Sequence, residues 1–148
     1  MEELEVLDGK AAEVIDAVST LKHLYTFDFS NNELKPQMND SIAKMINKYP
    51  EMEILCLDHC QMSDSMCKNY FENMQNTNLQ FLNISWNKIT GQSIDFITRV
   101  VKQNQDLEKL TMQHNRFGES DLTEFSNAVA THKSLKYLDM SANLIGND

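Results

Sequence analysis

The stretch Leu79-Gln80-Phe81-Leu82-Asn83-Ile84-Ser85-Trp86-Asn87-Lys88-Ile89 reads L-x-x-L-x-L-x-x-N-x-L, and the rest of the chain falls into register with it. The same frame recurs as Leu24-Phe27-Phe29-Asn32-Leu34, Met52-Leu55-Leu57-Cys60-Met62, Leu107-Leu110-Met112-Asn115-Phe117 and Leu135-Leu138-Met140-Asn143-Ile145. Successive frames start at residues 24, 52, 79, 107 and 135, spacings of 28, 27, 28 and 28 residues. Self-similarity at a fixed period describes one structural unit that cannot bury its apolar face alone and must stack on copies of itself.

The chemistry of each place in the frame follows from strand geometry. Alternate residues of a strand point to opposite faces, so the fourth and sixth places (Leu82 and Ile84) aim into a core. The third, fifth and seventh (Phe81, Asn83 and Ser85) then face the open side. Asn32, Asn87, Asn115 and Asn143 stand where the chain leaves the strand, with Cys60 in the equivalent place of the second frame. A side-chain amide there can donate to and accept from turn backbone that would otherwise be buried unpaired. Eighteen residues separate Leu34 from Met52, Ile89 from Leu107 and Phe117 from Leu135, room for two to three helical turns with connections.

Those intervals carry one-sided apolar stripes: Ile42, Met45 and Ile46; Cys67, Tyr70, Phe71 and Met74; Ile94, Ile97, Val100 and Val101; Leu122, Phe125, Ala128 and Val129. Residues 1–23 read as the second half of a repeat, with Val6 in the last apolar place and Ala11, Val14, Ile15 and Val18 on one helix face.

A 28-residue period, a full helix in every unit and Cys60 in place of the usual Asn resemble the ribonuclease-inhibitor-like class of leucine-rich repeats. The resemblance covers nearly the whole chain and implies an α/β fold, a right-handed horseshoe solenoid with parallel inner strands and outer helices, in a class that is typically intracellular. Gly91, Gly118 and Gly146 follow the frame in three units, whereas Lys35-Pro36 and Ser63-Asp64 replace the glycine in the first two. A single domain is expected over 1–148, with a partial repeat at 1–23, repeats starting at 24, 52, 79 and 107, and a partial repeat at 135–148. Neither end offers an obvious polar cap, so the expectation is that a neighbour covers the ends or, in preference, that the chain is part of a longer array.

Composition narrows the function classes. The 148 residues are 41% hydrophobic and 24% charged, ordinary for one globular domain. A net charge of −9, with Arg99 and Arg116 the only arginines, leaves no basic surface for neutralising phosphates, so nucleic acid is not an expected partner. Met1-Glu2-Glu3-Leu4-Glu5 has neither the basic nor the apolar region of a secretory signal, and no apolar run approaches the roughly 18 residues of a membrane span. Three cysteines, an odd number without framework spacing, fit a reducing, intracellular compartment.

No phosphate-binding glycine loop, zinc-protease motif, nucleophile elbow or dinucleotide fingerprint occurs, so neither an enzyme nor a cofactor is expected. Cys56, Asp58, His59 and Cys60, with Cys67 beyond, are the nearest approach to a metal cluster. Cys60 belongs to the turn and Cys67 to a packed stripe, whereas structural zinc wants four converging ligands; no metal is expected. Asn83-Ile84-Ser85 and Asn39-Asp40-Ser41 match the glycosylation triplet, but the first lies in a strand and no export signal precedes them, so modification is not expected.

Function is therefore sought on the open face. The eighth column reads Asn31, His59, Trp86, His114 and Ala142, and the third reads Thr26, Ile54, Phe81, Lys109 and Tyr137. The fifth and seventh add Asp28, Asp58 and Asp139 with Ser30, Asn83, Ser85 and Thr111, a mildly acidic wall that would steer a basic segment. Candidate partner-binding residues are His59, Phe81, Trp86, His114, Tyr137, Asp58 and Asp139, with Trp86 as a natural interface anchor. The plainer alternative has Trp86 and Phe81 as partly exposed aromatics folded over strand edges. Glu72, Asp95 and Glu124 read as solvated helix faces, and Met45, Met52, Met62, Met74, Met112 and Met140 as core.

These readings favour a non-enzymatic scaffold that binds a protein partner through the concave face or the solenoid ends within a larger complex. Similar repeat proteins include ribonuclease inhibitors, tropomodulin-type actin cappers, immune sensor domains and ciliary axoneme subunits. Asn- and Lys-rich, Gly-poor usage hints at an AT-rich genome such as a ciliate's, pointing to an axonemal or cytoskeletal assembly. One competing class is a GTPase-activating regulator, because the Ran activators share this repeat class and are acidic; they also carry more repeats and an acidic tail. The other is a purely structural spacer.

Overall fold

Each frame becomes one short strand, and each interval one helix. A computed structural model of the chain describes residues 10–118 and 122–146. Among them run α1 (Lys10–Val18), β1 (Thr26–Asp28), α2 (Asn39–Lys48), β2 (Ile54–Cys56), α3 (Asp64–Phe71), β3 (Phe81–Asn83), α4 (Ile94–Gln103), β4 (Lys109–Thr111), α5 (Thr123–Thr131) and β5 (Tyr137–Asp139). The strands form one parallel sheet in chain order, β1-β2-β3-β4-β5. Register follows the frame: Phe27, Leu55, Leu82, Leu110 and Leu138 are paired in succession, as are Thr26, Ile54, Phe81, Lys109 and Tyr137. Every helix packs beside the helix of the adjacent repeat, giving an α/β solenoid of two layers.

The apolar places close the core between the layers. Met52, Leu55, Leu57, Met62, Leu79, Leu82, Ile84, Ile89, Leu107, Leu110, Met112 and Phe117 are wholly inaccessible. Burying a side chain of this size contributes roughly 1.5–3 kcal/mol, which no single repeat could collect without its neighbours. The helix stripes meet them from the other side through Ile42, Met45 and Ile46, then Cys67, Tyr70 and Phe71, then Ile94, Ile97, Val100 and Val101, then Phe125 and Ala128. Where glycine is replaced in the first two frames, Pro36 starts a 3-10 turn at Pro36–Met38 and Ser63 precedes α3 in an extended conformation.

Two expectations fail at the margins. Val14, expected on the packed stripe of α1, is 48% exposed, while Ile15 is buried; α1 meets α2 on one flank, whereas α2, α3 and α4 each lie between two helices. Leu138 and Ile145 hold core places of the last frame yet are each 37% exposed, because β5 forms the sheet edge. The expectation for Val6 falls outside the described residues.

The asparagine places form a hydrogen-bonded ladder. Asn87 Oδ1 accepts from the amides of Cys60 (3.1 Å) and Met62 (2.8 Å), and Nδ2 donates to the carbonyls of Leu57 (2.8 Å), Ile84 (3.0 Å) and Ser85 (3.1 Å). Asn115 and Asn143 repeat the pattern one and two steps on, accepting from Ile89 N and Phe117 N. Cys60 fills its rung by donating its thiol to Phe29 O and Asp58 O, both at 3.3 Å.

A second ladder serves the strand entries, three residues before each of the last four frames. Tyr49 Oη donates to Val18 O and Leu21 O, Asn76 Nδ2 to Tyr49 O and Met52 O, and Asn104 Nδ2 to Val100 O, while Asn104 Oδ1 accepts from Leu79 N. His132 takes the same place; its Nδ1 accepts from Ser134 N and Leu135 N, which leaves Nε2 carrying the proton and donating to Asn104 O.

Candidate partner-binding surface

The sheet ladder runs beyond each strand into the eighth place of the frame. Asn31 N donates to Asp58 O (2.9 Å), His59 N to Ser85 O (3.1 Å), Trp86 N to Gln113 O (2.9 Å) and His114 N to Ser141 O (3.0 Å). These residues also turn the chain off the sheet, and all adopt left-handed backbone: φ is 61° at Asn31, 55° at His59, 54° at Trp86, 51° at His114 and 54° at Ala142. That conformation costs a non-glycine residue about 1–2 kcal/mol, which the pinned amides and the repeat packing offset. Identical backbone at successive steps aims successive side chains the same way.

The rings therefore stack. His59 and Trp86 lie 4.9 Å apart between centroids at 15°, and Trp86 and His114 lie 3.5 Å apart at 16°. Trp86, in the middle, is 44% exposed, so the column is ordered while remaining open to solvent. Asp58 braces its first ring: Oδ2 is 3.0 Å from His59 Nδ1, and Oδ1 accepts from Ser30 Oγ and from Asn83 Nδ2 (2.7 Å). Asn83 passes the chain onward, its Oδ1 accepting from Thr111 Oγ1 at 2.8 Å. One polar string thus crosses four repeats beneath the rings.

A second cluster occupies the third column. Lys109 Nζ lies 4.6 Å from the Phe81 ring centroid and 5.2 Å from that of Tyr137, a cation held between two aromatic faces. Asp139 accepts from the Ser141 hydroxyl (2.7 Å), the Ser141 amide (3.0 Å) and, at 3.4 Å, Tyr137 Oη. The Ser141 hydroxyl and then its amide hold the Asp139 carboxyl below its ordinary range, keeping it ionised.

All seven residues singled out in the sequence are thus placed in these two groups: His59, Trp86, His114 and Asp58 in the first, Phe81, Tyr137 and Asp139 in the second. Ser85 and Thr111, expected on the open face, are instead buried. Sequence reasoning missed the roles of Lys109 and Asn83. The first was readable as Lys109 between Phe81 and Tyr137 in one column; the second joins the seventh place of one repeat to the fifth of the next and shows in no single column.

Cys56, Cys60 and Cys67 are all buried and free. Among the described residues, no group of three or more His, Cys, Asp and Glu side chains could hold a metal ion. Burial above all pushes each of the three thiols from 9.0 up to about 12, helped at Cys56 by the charges of Asp28 and Asp58. At pH 8 a thiol of that pKa is about 0.01% thiolate, so the folded protein should resist a thiol-specific reagent that labels all three cysteines once it is unfolded. Because the unfolded chain gives up these protons first, stability should fall as pH rises through and above 9, and a series of urea melts from pH 8 to 10.5 would show it. A thiol labelled at full rate in the folded protein would contradict this.

Sequence comparison matches a family profile described as Leucine Rich repeat to residues 75–97, which contain the whole third frame and the first turn of α4. The chain folds as a leucine-rich-repeat solenoid. Leucine-rich-repeat architecture also governs its structural likenesses. Leiomodin-1 actin-binding site 2 is similar at 18% identity over 86% of this chain and 77% of that chain, with a TM-score of 0.72. The tropomodulin C-terminal domain from Caenorhabditis elegans is similar at 16% identity over 87% and 81%, with a TM-score of 0.68. An internalin from Listeria monocytogenes is similar at 20% identity over 90% of this solenoid and 32% of its own chain, with a TM-score of 0.59. No curated protein matches the sequence significantly. No helix among the described residues is long and apolar enough to cross a membrane.

Proposed function

We propose that this solenoid is a non-enzymatic scaffold that holds a protein partner against its strand face, with the His59, Trp86 and His114 column as the anchor. The observation that carries this reading is the column itself: three stacked, near-parallel rings, fixed by backbone pinned at each step, with the central Trp86 44% exposed. Rigid, half-exposed aromatics lose little entropy on binding and are favoured at interface hot spots. Phe81 and Tyr137 extend the apolar surface, and Asp58 and Asp139 supply charge that suits a basic segment of the partner.

The finer reading is a ribonuclease-inhibitor-like, intracellular repeat domain spanning 1–148 within a longer array, serving a large cytoskeletal or axonemal assembly. Its 28-residue period and the likeness to a leiomodin-1 actin-binding site support this, and make actin the first partner to try. Crosslinking mass spectrometry in native extract, followed by capture with the wild-type protein and a Trp86→Ala variant, is the test. Trp86→Ala should strip off the captured partner while lowering stability by no more than about 2 kcal/mol, the value of the lost ring contacts. An unchanged set of captured proteins would leave only a spacer. Stimulated GTP hydrolysis by a Ran-like GTPase would replace the scaffold with a regulator.

A further inference from the structure

The ring column stops one step short of the last repeat. At the next eighth place stands Ala142, with φ 54° matching the 54° of Trp86, but with only a methyl group to set against the outer face of His114. Parallel strands are about 4.8 Å apart, so a planar group over Ala142 would lie one stacking step from His114. His114 and Ala142 are both exposed. The groups around that space are mainly acceptors: the ionised Asp139 carboxylate, which lies within electrostatic reach of His114, and Gln113 Oε1, 3.2 Å from the Ser141 hydroxyl.

The geometry points to a docking position for an arginine side chain of the protein partner, its guanidinium stacked on His114 over Ala142 and paired with Asp139. This rests on the scaffold reading and names the partner chemistry for one part of that surface. Arginine fits where other side chains do not. Its guanidinium is planar enough to continue the stack and offers forked donors to a carboxylate, whereas an ammonium has no plane and an aromatic ring brings no counter-charge to Asp139. The same wall already holds Lys109 between Phe81 and Tyr137, and the chain carries a net charge of −9. Charge complementarity therefore favours a cationic segment.

The test is a titration of the isotope-labelled protein with a blocked Gly-Arg-Gly-Arg-Gly peptide and its lysine and citrulline counterparts. Backbone resonances from Gln113 to Asn143 and the emission of Trp86, the chain's sole tryptophan, report the binding. The arginine peptide should move His114, Asp139 and Ala142 and bind about two- to fivefold more tightly than either counterpart. Asp139→Asn, which keeps the shape of this half-buried side chain and one of its acceptor oxygens while removing the charge, should remove about two- to fivefold of that affinity. Ala142→Tyr, at a backbone conformation that already carries Trp86 and two histidines, fills the position with the chain's own ring and should abolish the shifts. Equal binding of the lysine or citrulline peptide, or an unchanged titration of Ala142→Tyr, would overturn the assignment. If Trp86→Ala releases the captured partner but Ala142→Tyr retains it, the scaffold stands and the arginine position falls.

Discussion

An Asn87→Ala variant is expected to lose about 2–5 kcal/mol of unfolding free energy, since two buried backbone donors and three carbonyls lose a shared partner at once. The donors are Cys60 N and Met62 N in one repeat, and the carbonyls belong to Leu57 before them and to Ile84 and Ser85 in its own repeat. Asn87→Asp should fare no better: it restores the acceptor but cannot donate, and it brings a buried charge towards carbonyl oxygens. Urea denaturation followed by circular dichroism measures both, and a loss below about 1 kcal/mol in the alanine variant would show that the turns hold without the ladder.

The second large effect is expected at Leu82→Ala, with a loss of about 2–5 kcal/mol. Leu82 is wholly inaccessible in β3, paired on one side with Leu55 and on the other with Leu110. Its removal leaves a cavity bounded by three repeats rather than one, and neighbours locked in a sheet cannot collapse into it. The contrast with Trp86→Ala is the informative part. Both residues lie in the third frame and both are large, yet one should change the melting curve and the other the company the protein keeps. Equal destabilisation by the two substitutions would mean that Trp86 belongs to the core.

Fold and site were unequally legible in the sequence. The fold could be read because each consensus place answers to one strong force: apolar burial at Leu55, Leu82 and Leu110, backbone satisfaction at Asn87 and Asn115. Those requirements recur with the period and fix the register of all five strands. The margins were misread at Val14 and Leu138, since burial there depends on what lies beside an element and not on its own pattern. The columns brought Trp86 between His59 and His114, but not their contact. Stacking required knowing that the eighth residue turns left-handed, and His59, Trp86 and His114 are poor advertisements for a conformation that glycine usually marks. The entry ladder of Tyr49, Asn76, Asn104 and His132 escaped notice because its period is carried by four side chains of three kinds, each solving the same hydrogen-bonding problem with different atoms.

The chain-order sheet has a consequence for how such a molecule can change size. Since each strand is joined only to the strands one period before and after it, no residue depends on how many coils there are in total. An in-frame gain or loss of one coil would present the flanking coils with the same mating surfaces, so length can drift through whole-unit steps while any half-unit step would shear every contact at the junction.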